Sequence, residues 1–72
     1  MVSALARNLR HRRVSAGLSQ GDLAERTGLS QTWISRLETG GANPTIETLT
    51  ILAEGLSIRV HDLFEDNAEA VG

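Results

Sequence analysis

The stretch QGDLAERTGLSQTWISRL, residues 20–37, decides the fold of this chain because it predicts two short helices joined by a tight turn. Gly28 lies in that turn, where glycine adopts a positive φ without steric cost. Ala24 is small where the second helix crosses the first, and Ile34 and Leu37, three residues apart, face back onto the first helix. The outward side of the second helix then carries four polar residues: Gln31, Thr32, Ser35 and Arg36. Such side chains can read base edges in the DNA major groove.

The composition limits the class of protein. Seventy-two residues form one small domain, near the lower end of what folds alone. The chain has no Cys, which excludes a disulfide framework and a thiolate metal site, and its single Trp and single Phe require an aliphatic core. No apolar run approaches the ~20 residues of a membrane span, and no signal-peptide stretch opens the chain. We therefore expect a cytoplasmic protein with no membrane segment.

Charge is divided unevenly along the chain. Residues 1–36 hold six Arg and two acidic residues, a net charge of +4, whereas residues 37–72 hold one Arg and seven acidic residues, a net charge of −6. This division indicates a polarised molecule whose basic half contains the outward polar face of the second helix. The alternative is a solvated surface on which the charges mix after folding.

Capping residues and hydrophobic periodicity predict an all-helical chain of five helices. Helix one is expected to span about residues 3–16, with Ser3 as its N-cap and Gly17 as its stop. Ser19 and Asp22, three residues apart, give helix two a capping box in which Asp replaces Glu. These local signals fix the first half of the fold.

The second half of the chain continues the helical pattern. Ser30 is expected to cap helix three, and Thr45 to cap helix four. Five apolar residues of helix four repeat at helical spacing and are assigned to the core: Ile46, Leu49, Leu52, Ala53 and Leu56. A short last helix is expected over about residues 60–65, with Leu63 and Phe64 completing the core.

Residues spread from about Leu9 to Phe64 carry a family resemblance. They are Arg13, Gly17-Leu18-Ser19-Gln20, Leu23-Ala24, Gly28, Ser30, Ile34-Ser35, Glu38, Gly40, Pro44, Leu49, Ala53, Leu56 and Leu63-Phe64. Together they resemble the Cro and phage-repressor (Xre-type) helix-turn-helix family. The resemblance implies an all-α, five-helix helix-turn-helix domain of the lambda-repressor-like type in residues 1–66. The C-terminal tail, residues 67–72, is polar with small residues and is expected to be flexible.

By position in this family, the start of helix three enters the major groove of double-stranded DNA. Gln31 is the best candidate for base contact, since its amide can pair with adenine N6 and N7. Thr32 offers a hydroxyl and a methyl group, and Arg36 can bind guanine O6 and N7 or a phosphate. Ser35 is the weaker candidate. The alternative for Gln31 and Thr32 is that both are ordinary exposed polar residues.

Four further residues are candidates for contact with the DNA backbone. Gln20 opens helix two, where side-chain and backbone N–H groups can meet a phosphate. Asn43 lies in the loop after helix three, and Arg10 lies on helix one. Trp33 is expected to place its indole N–H on a phosphate, with packing beside the recognition helix as the alternative.

Other residues have structural assignments. The resemblance implies an internal ion pair between Arg13 and Glu38, linking helix one to the end of helix three. The apolar residues assigned to a homodimer interface, which leaves helix three free for DNA, are Ile51, Ile58, Val60 and Leu63. Ile51 departs from the family pattern, which usually places a polar residue there.

The resulting functional prediction is a dimeric, sequence-specific transcriptional regulator acting on a twofold operator. The run Thr32–Ser35 and its spacing to Asn43 are similar to the controller proteins of restriction–modification systems. The alternative is an antitoxin-like interaction module that neutralises a partner protein. No catalytic constellation is present, so we expect neither an enzyme nor a cofactor, metal ion or small-molecule effector.

Overall fold

The computed structural model describes residues 4–64. Four α-helices and one terminal 3₁₀ helix follow one another in these residues: α1 (Ala4–Ser15), α2 (Gln20–Thr27), α3 (Gln31–Glu38), α4 (Ile46–Leu56) and the 3₁₀ helix (Val60–Leu63). The described residues contain no strand, so the all-helical prediction is confirmed. The predicted cap at Ser3, the predicted helix end near residue 65 and the predicted tail lie outside the described residues.

The prediction of a fifth α-helix was wrong. α4 ends at Leu56, where Ser57 adopts a left-handed conformation with φ of 59°. The last element is a single 3₁₀ turn of four residues, a length typical of 3₁₀ helices. Arg59 precedes this turn, and its backbone N–H donates to Asp62 Oδ2 at 3.0 Å. This bond supplies the cap that the sequence did not reveal.

The predicted starts of α2, α3 and α4 are present. Ser19 Oγ accepts from the Asp22 N–H at 2.9 Å, and the Ser19 N–H donates to Asp22 Oδ2 at 2.9 Å, so the capping box of α2 is confirmed. The hydrogen bond from the Ser19 backbone N–H lowers the pKa of Asp22. Ser30 caps α3 by accepting from the Trp33 N–H, and Thr45 caps α4.

The turn between α2 and α3 depends on glycine. Gly28 has φ of 78°, in the left-handed region, and its N–H donates to the Ala24 carbonyl at 2.8 Å. This geometry reverses the chain directly after α2, as the sequence predicted.

The core draws on every helix. Its fully buried large side chains are Leu9, Leu23, Ile34, Leu37, Leu52 and Leu63. Because Leu63 is 0 % exposed within a single chain, its assignment to a dimer interface was wrong. The 3₁₀ turn packs against α1 and α4 and carries Leu63 into the interior.

Two residues assigned to the core are exposed instead. Ile46 is 74 % exposed and Phe64 is 50 % exposed. Ile46 is the first residue of α4, and helical side chains lean toward the N-terminus of their own helix. Its side chain therefore extends beyond the N-terminal end of α4 and does not reach the core, although its spacing from Leu49 fits the apolar pattern.

α2 and α4 approach closely at Gly55. A Cβ atom on Gly55 would lie 2.7 Å from Thr27 Cγ2 and 3.5 Å from Leu23 Cδ1. The Thr27 side chain cannot easily move, because its hydroxyl donates to the Leu23 carbonyl at 2.8 Å and accepts from the Leu29 N–H at 3.2 Å. Glycine is therefore required inside α4, despite its poor helix propensity.

We expect Gly55→Ala to destabilise the protein by about 1 kcal/mol, because overpacking outweighs the gain in helix propensity. Thr27→Ser removes the obstructing methyl group and keeps the hydroxyl. In the Thr27→Ser background, Gly55→Ala should be neutral or stabilising. Urea unfolding of the four proteins measures both effects, and an equal loss in the two backgrounds would contradict this account of Gly55.

The α2 capping box predicts a dependence of stability on acid pH. Since the folded pKa of Asp22 is lowered, its contribution is present above the unfolded pKa of about 3.9 and is lost as pH falls through the folded value. Asp22→Asn should therefore flatten the decline of the melting temperature below about pH 4. Thermal melts across the acid range test this, and parallel curves for both proteins would show that Asp22 is not responsible.

Candidate nucleic-acid interface

α3 has two distinct faces. Ile34 is fully buried and Leu37 is 2 % exposed, so this side of the helix is fixed in the core. Gln31, Thr32 and Arg36 are exposed on the remaining surface, and Ser35, a fourth predicted base reader, is half-buried. The predicted division of α3 into a core face and an outward polar face is therefore present.

The four predicted base-reading residues share one surface. Together with Gln20 of α2 they line an open concave surface, here called the α2–α3 surface: Gln20, Gln31, Thr32, Ser35 and Arg36. The fold thus brings together amide, hydroxyl and guanidinium groups, which can donate and accept hydrogen bonds toward base edges. Contact with DNA by these residues stays a prediction.

The Gln31 side chain reaches back over the first turn of α2. A Cβ atom on Gly21 would lie 3.4 Å from Gln31 Oε1 and 3.9 Å from its Cδ. A Cβ atom at position 21 would thus be in ordinary van der Waals contact with the Gln31 amide. This approach of α3 to the first turn of α2 was not predicted from the sequence.

A buried carboxylate connects the α2–α3 surface to α1. Glu38 is 7 % exposed and accepts from Arg13 Nε at 2.6 Å and from Arg13 Nη2 at 3.0 Å. Arg13 Nη1 also donates to the Leu18 carbonyl at 2.7 Å. The hydrogen bond to Glu38 raises the pKa of Arg13, against the opposing effect of desolvation. The predicted internal ion pair is confirmed.

Glu38 has a further partner that the sequence did not reveal. Gln20 Nε2 donates to Glu38 Oε1 at 3.0 Å. The bond joins residues eighteen positions apart on different helices, so no helical periodicity could have indicated it. Gln20, predicted to contact a phosphate, therefore has one of its amide hydrogens already engaged within the protein.

The other predicted backbone-contact residues lie apart from the α2–α3 surface. Asn43 is exposed in the loop before α4, and Arg10 is exposed on α1. Trp33 is half-buried and packs against the hydrophobic core, which agrees with the packing alternative for its ring. None of the three lines the α2–α3 surface, and their contact with DNA stays a prediction.

Two other features are absent from residues 4–64. Within this part of the chain no group of three or more His, Asp or Glu side chains is placed to hold a metal ion. None of the helices in the same residues is long and apolar enough to cross a membrane.

The Arg13–Glu38 pair predicts a large effect on folding. Their side chains are only 11 % and 4 % exposed, so Glu38→Ala would leave a buried guanidinium without its carboxylate. The free energy of unfolding should fall by roughly 3–5 kcal/mol, the range typical of a buried pair that has lost one partner. Thermal melting of the free protein should show it before DNA is added. An unchanged melting temperature combined with weaker DNA binding would assign Glu38 to the interface alone.

Comparison with known proteins agrees with this geometry. A family model described as a helix-turn-helix domain matches residues 4–63. Control protein C.SmaI of Serratia marcescens is 44 % identical over 59 residues, covering 82 % of this chain and 70 % of the relative. The HTH-type transcriptional regulator DdrOP3 of Deinococcus deserti is 43 % identical over 61 residues, covering 85 % of this chain. The chain spans about half the length of this last relative, 47 %.

A solved structure shows the same arrangement of helices. The restriction–modification controller protein C.AhdI from Aeromonas hydrophila superposes with a TM-score of 0.84 at 32 % sequence identity, over 88 % of this chain and 96 % of that protein. The family match covers most of the chain and coincides with the described helices. The resemblance inferred from the sequence is confirmed, and the chain belongs to the helix-turn-helix domain family.

Proposed function

We propose that this protein is a sequence-specific DNA-binding regulator of transcription that acts as a homodimer on a twofold operator. The observation that carries the proposal is the α2–α3 surface. There, α3 presents an exposed polar face while its opposite side is buried in the core. An α-helix fits the major groove of B-DNA, and recognition requires such rigid support.

The chemistry of the α2–α3 surface suits base readout. Gln31 can bind adenine through N6 and N7, Arg36 can bind guanine through O6 and N7, and the Thr32 methyl group can meet a thymine methyl. Ser35 adds a hydroxyl deeper in the surface. Contacts of Gln20, Trp33, Asn43 and Arg10 with phosphates would set the position of the protein on the duplex without specifying sequence.

The relatives support a regulatory role over a catalytic one. They are named as a transcriptional regulator and a control protein, and the superposed structure is that of a restriction–modification controller. Control of a restriction–modification system is therefore the specific role we propose, carried out in the cytoplasm. None of these names points to the antitoxin-like alternative, which has no comparable support.

The homodimer would use the C-terminal part of the fold. Ile51, Ile58 and Val60 are partly exposed apolar residues outside the α2–α3 surface. Two copies joined there would present two α3 helices to half-sites about one helical turn apart. Affinity would then depend on protein concentration, so no small-molecule effector is required for regulation.

Base readout predicts a sequence-dependent effect at Gln31. On an operator selected by the protein from random duplexes, Gln31→Ala should cost about 1–3 kcal/mol of binding free energy, the value of a good bidentate base contact. On unselected DNA the same change should cost little. Fluorescence titration of both duplexes measures the difference, and an equal loss on both would remove Gln31 from the set of specificity residues.

The proposed dimer predicts a selective effect at Ile51. Ile51→Asp places a charge in the apolar surface and should shift the protein toward monomer, because an unpaired charge is costly to bury. Ile46→Asp makes the same chemical change on the same helix at a residue that is 74 % exposed. Sedimentation across a concentration series should show dissociation for Ile51→Asp alone. Undiminished dimerisation of Ile51→Asp would place the interface elsewhere.

A further inference from the structure

The Gln20 amide is hydrogen-bonded to a buried side chain of the protein. Its Nε2 atom donates to the Glu38 carboxylate, while its side chain lines the α2–α3 surface beside Gln31, Thr32 and Arg36. Gln20 is thus the one residue of this surface that is joined by a described hydrogen bond to the buried Arg13–Glu38 pair.

The chemistry of the bond fixes the orientation of the amide. An ionised carboxylate only accepts hydrogen bonds, so the Gln20 group that faces Glu38 must be the NH₂ and not the carbonyl. One N–H is directed inward, which leaves the carbonyl oxygen and the second N–H for the α2–α3 surface. A glutamine without such a partner could rotate its amide freely.

Arg13 balances the charge of this acceptor, so that no free negative charge lies beneath the surface. Glu38 accepts two hydrogen bonds from Arg13, so the pair is neutral as a unit. An uncompensated carboxylate in this position would repel DNA phosphates, and in a medium of low dielectric the repulsion would be strong. The pair can therefore orient Gln20 at no electrostatic cost to DNA binding.

We propose that Glu38 is a positioning residue for DNA recognition. Through its bond to Gln20 it fixes the Gln20 amide at the edge of the α2–α3 surface, so that the contribution of Gln20 to operator affinity depends on Glu38. The inference rests on the proposed function, because it assumes that this surface binds DNA. It assigns to the internal ion pair a role in recognition beyond its contribution to stability.

The test is a double-mutant cycle read by DNA affinity. Arg13→Met combined with Glu38→Met removes both charges and the acceptor for Gln20 while keeping the volume, and such apolar replacements are often neutral or stabilising. Gln20→Ala is then measured in this background and in the parent protein, on the operator that the parent protein selects from random duplexes. If the Met pair does not fold, Arg13→Leu with Glu38→Leu replaces it.

We expect Gln20→Ala to weaken operator binding in the parent protein and to have little effect in the apolar background. The two fold-changes should differ by at least about twofold, the lower end of coupling within one hydrogen-bond network. Equal fold-changes would overturn the proposal. So would an absence of any effect of Gln20→Ala in the parent protein.

Thr32→Ala is the matched control. Thr32 lines the same surface, whereas the described bonds to Glu38 come from Arg13 and Gln20. Its fold-change should be the same in both backgrounds. If the effect of Thr32→Ala also shrinks, the apolar pair has distorted the whole surface, Glu38 is merely structural and the proposal fails.

Selection of an operator from random duplexes distinguishes failure of the proposed function from failure of the positioning role of Glu38. If the parent protein selects no sequence over random DNA, the proposed function fails, and the positioning role fails with it. If it selects an operator but the cycle gives no coupling, only the positioning role of Glu38 is overturned. Melting curves of all variants show whether each protein is folded at the temperature of the titration.

Discussion

The arrangement of the first three helices depends on one buried carboxylate. Glu38, at the end of α3, is almost wholly removed from water, and burying an unpaired charge is prohibitively costly. Its compensation comes from Arg13 of α1 and Gln20 of α2. All three helices must therefore adopt one mutual geometry for the carboxylate to be satisfied. A buried pair is weak evidence of net stability, but its exacting geometry opposes alternative packings in a way that aliphatic contacts do not.

This constraint matters because α2 and α3 have only eight residues each. Isolated helices of that length are marginal in water, so each depends on tertiary packing for its structure. Ile34 and Leu37 anchor one side of α3 in the core, and Glu38 anchors its end. The outward polar residues of α3 inherit their rigidity from these anchors. Under the proposed function, recognition and stability would therefore reside on opposite sides of one short helix.

The parts of the fold that obey local rules were predictable from the sequence. The Ser19–Asp22 box and the positive φ of Gly28 follow from the chemistry of helix ends, and both are present. Predictions that required knowledge of neighbouring elements were less successful. Ile46 has core spacing but is the first residue of its helix and is exposed, whereas Leu63 was assigned to a partner interface but fills the interior. The bond from Gln20 to Glu38 joins two separate helices, so the sequence pattern of neither helix could predict it.

The fold also changes what the uneven charge of the sequence means. Arg13 pairs with Glu38, and Arg12 Nη2 lies 4.0 Å from Asp62 Oδ1, so two arginines of the basic half meet acids of the acidic half. Arg26 donates to the Gly55 carbonyl. The net charge of +4 on residues 1–36 therefore overstates the positive charge offered to DNA. Since the sequence-independent part of DNA affinity scales with the phosphates neutralised, internal pairing reduces that part. If the α2–α3 surface binds DNA as proposed, its neutral polar groups would supply a larger share of the binding free energy, which would favour discrimination between sequences over general attraction to DNA.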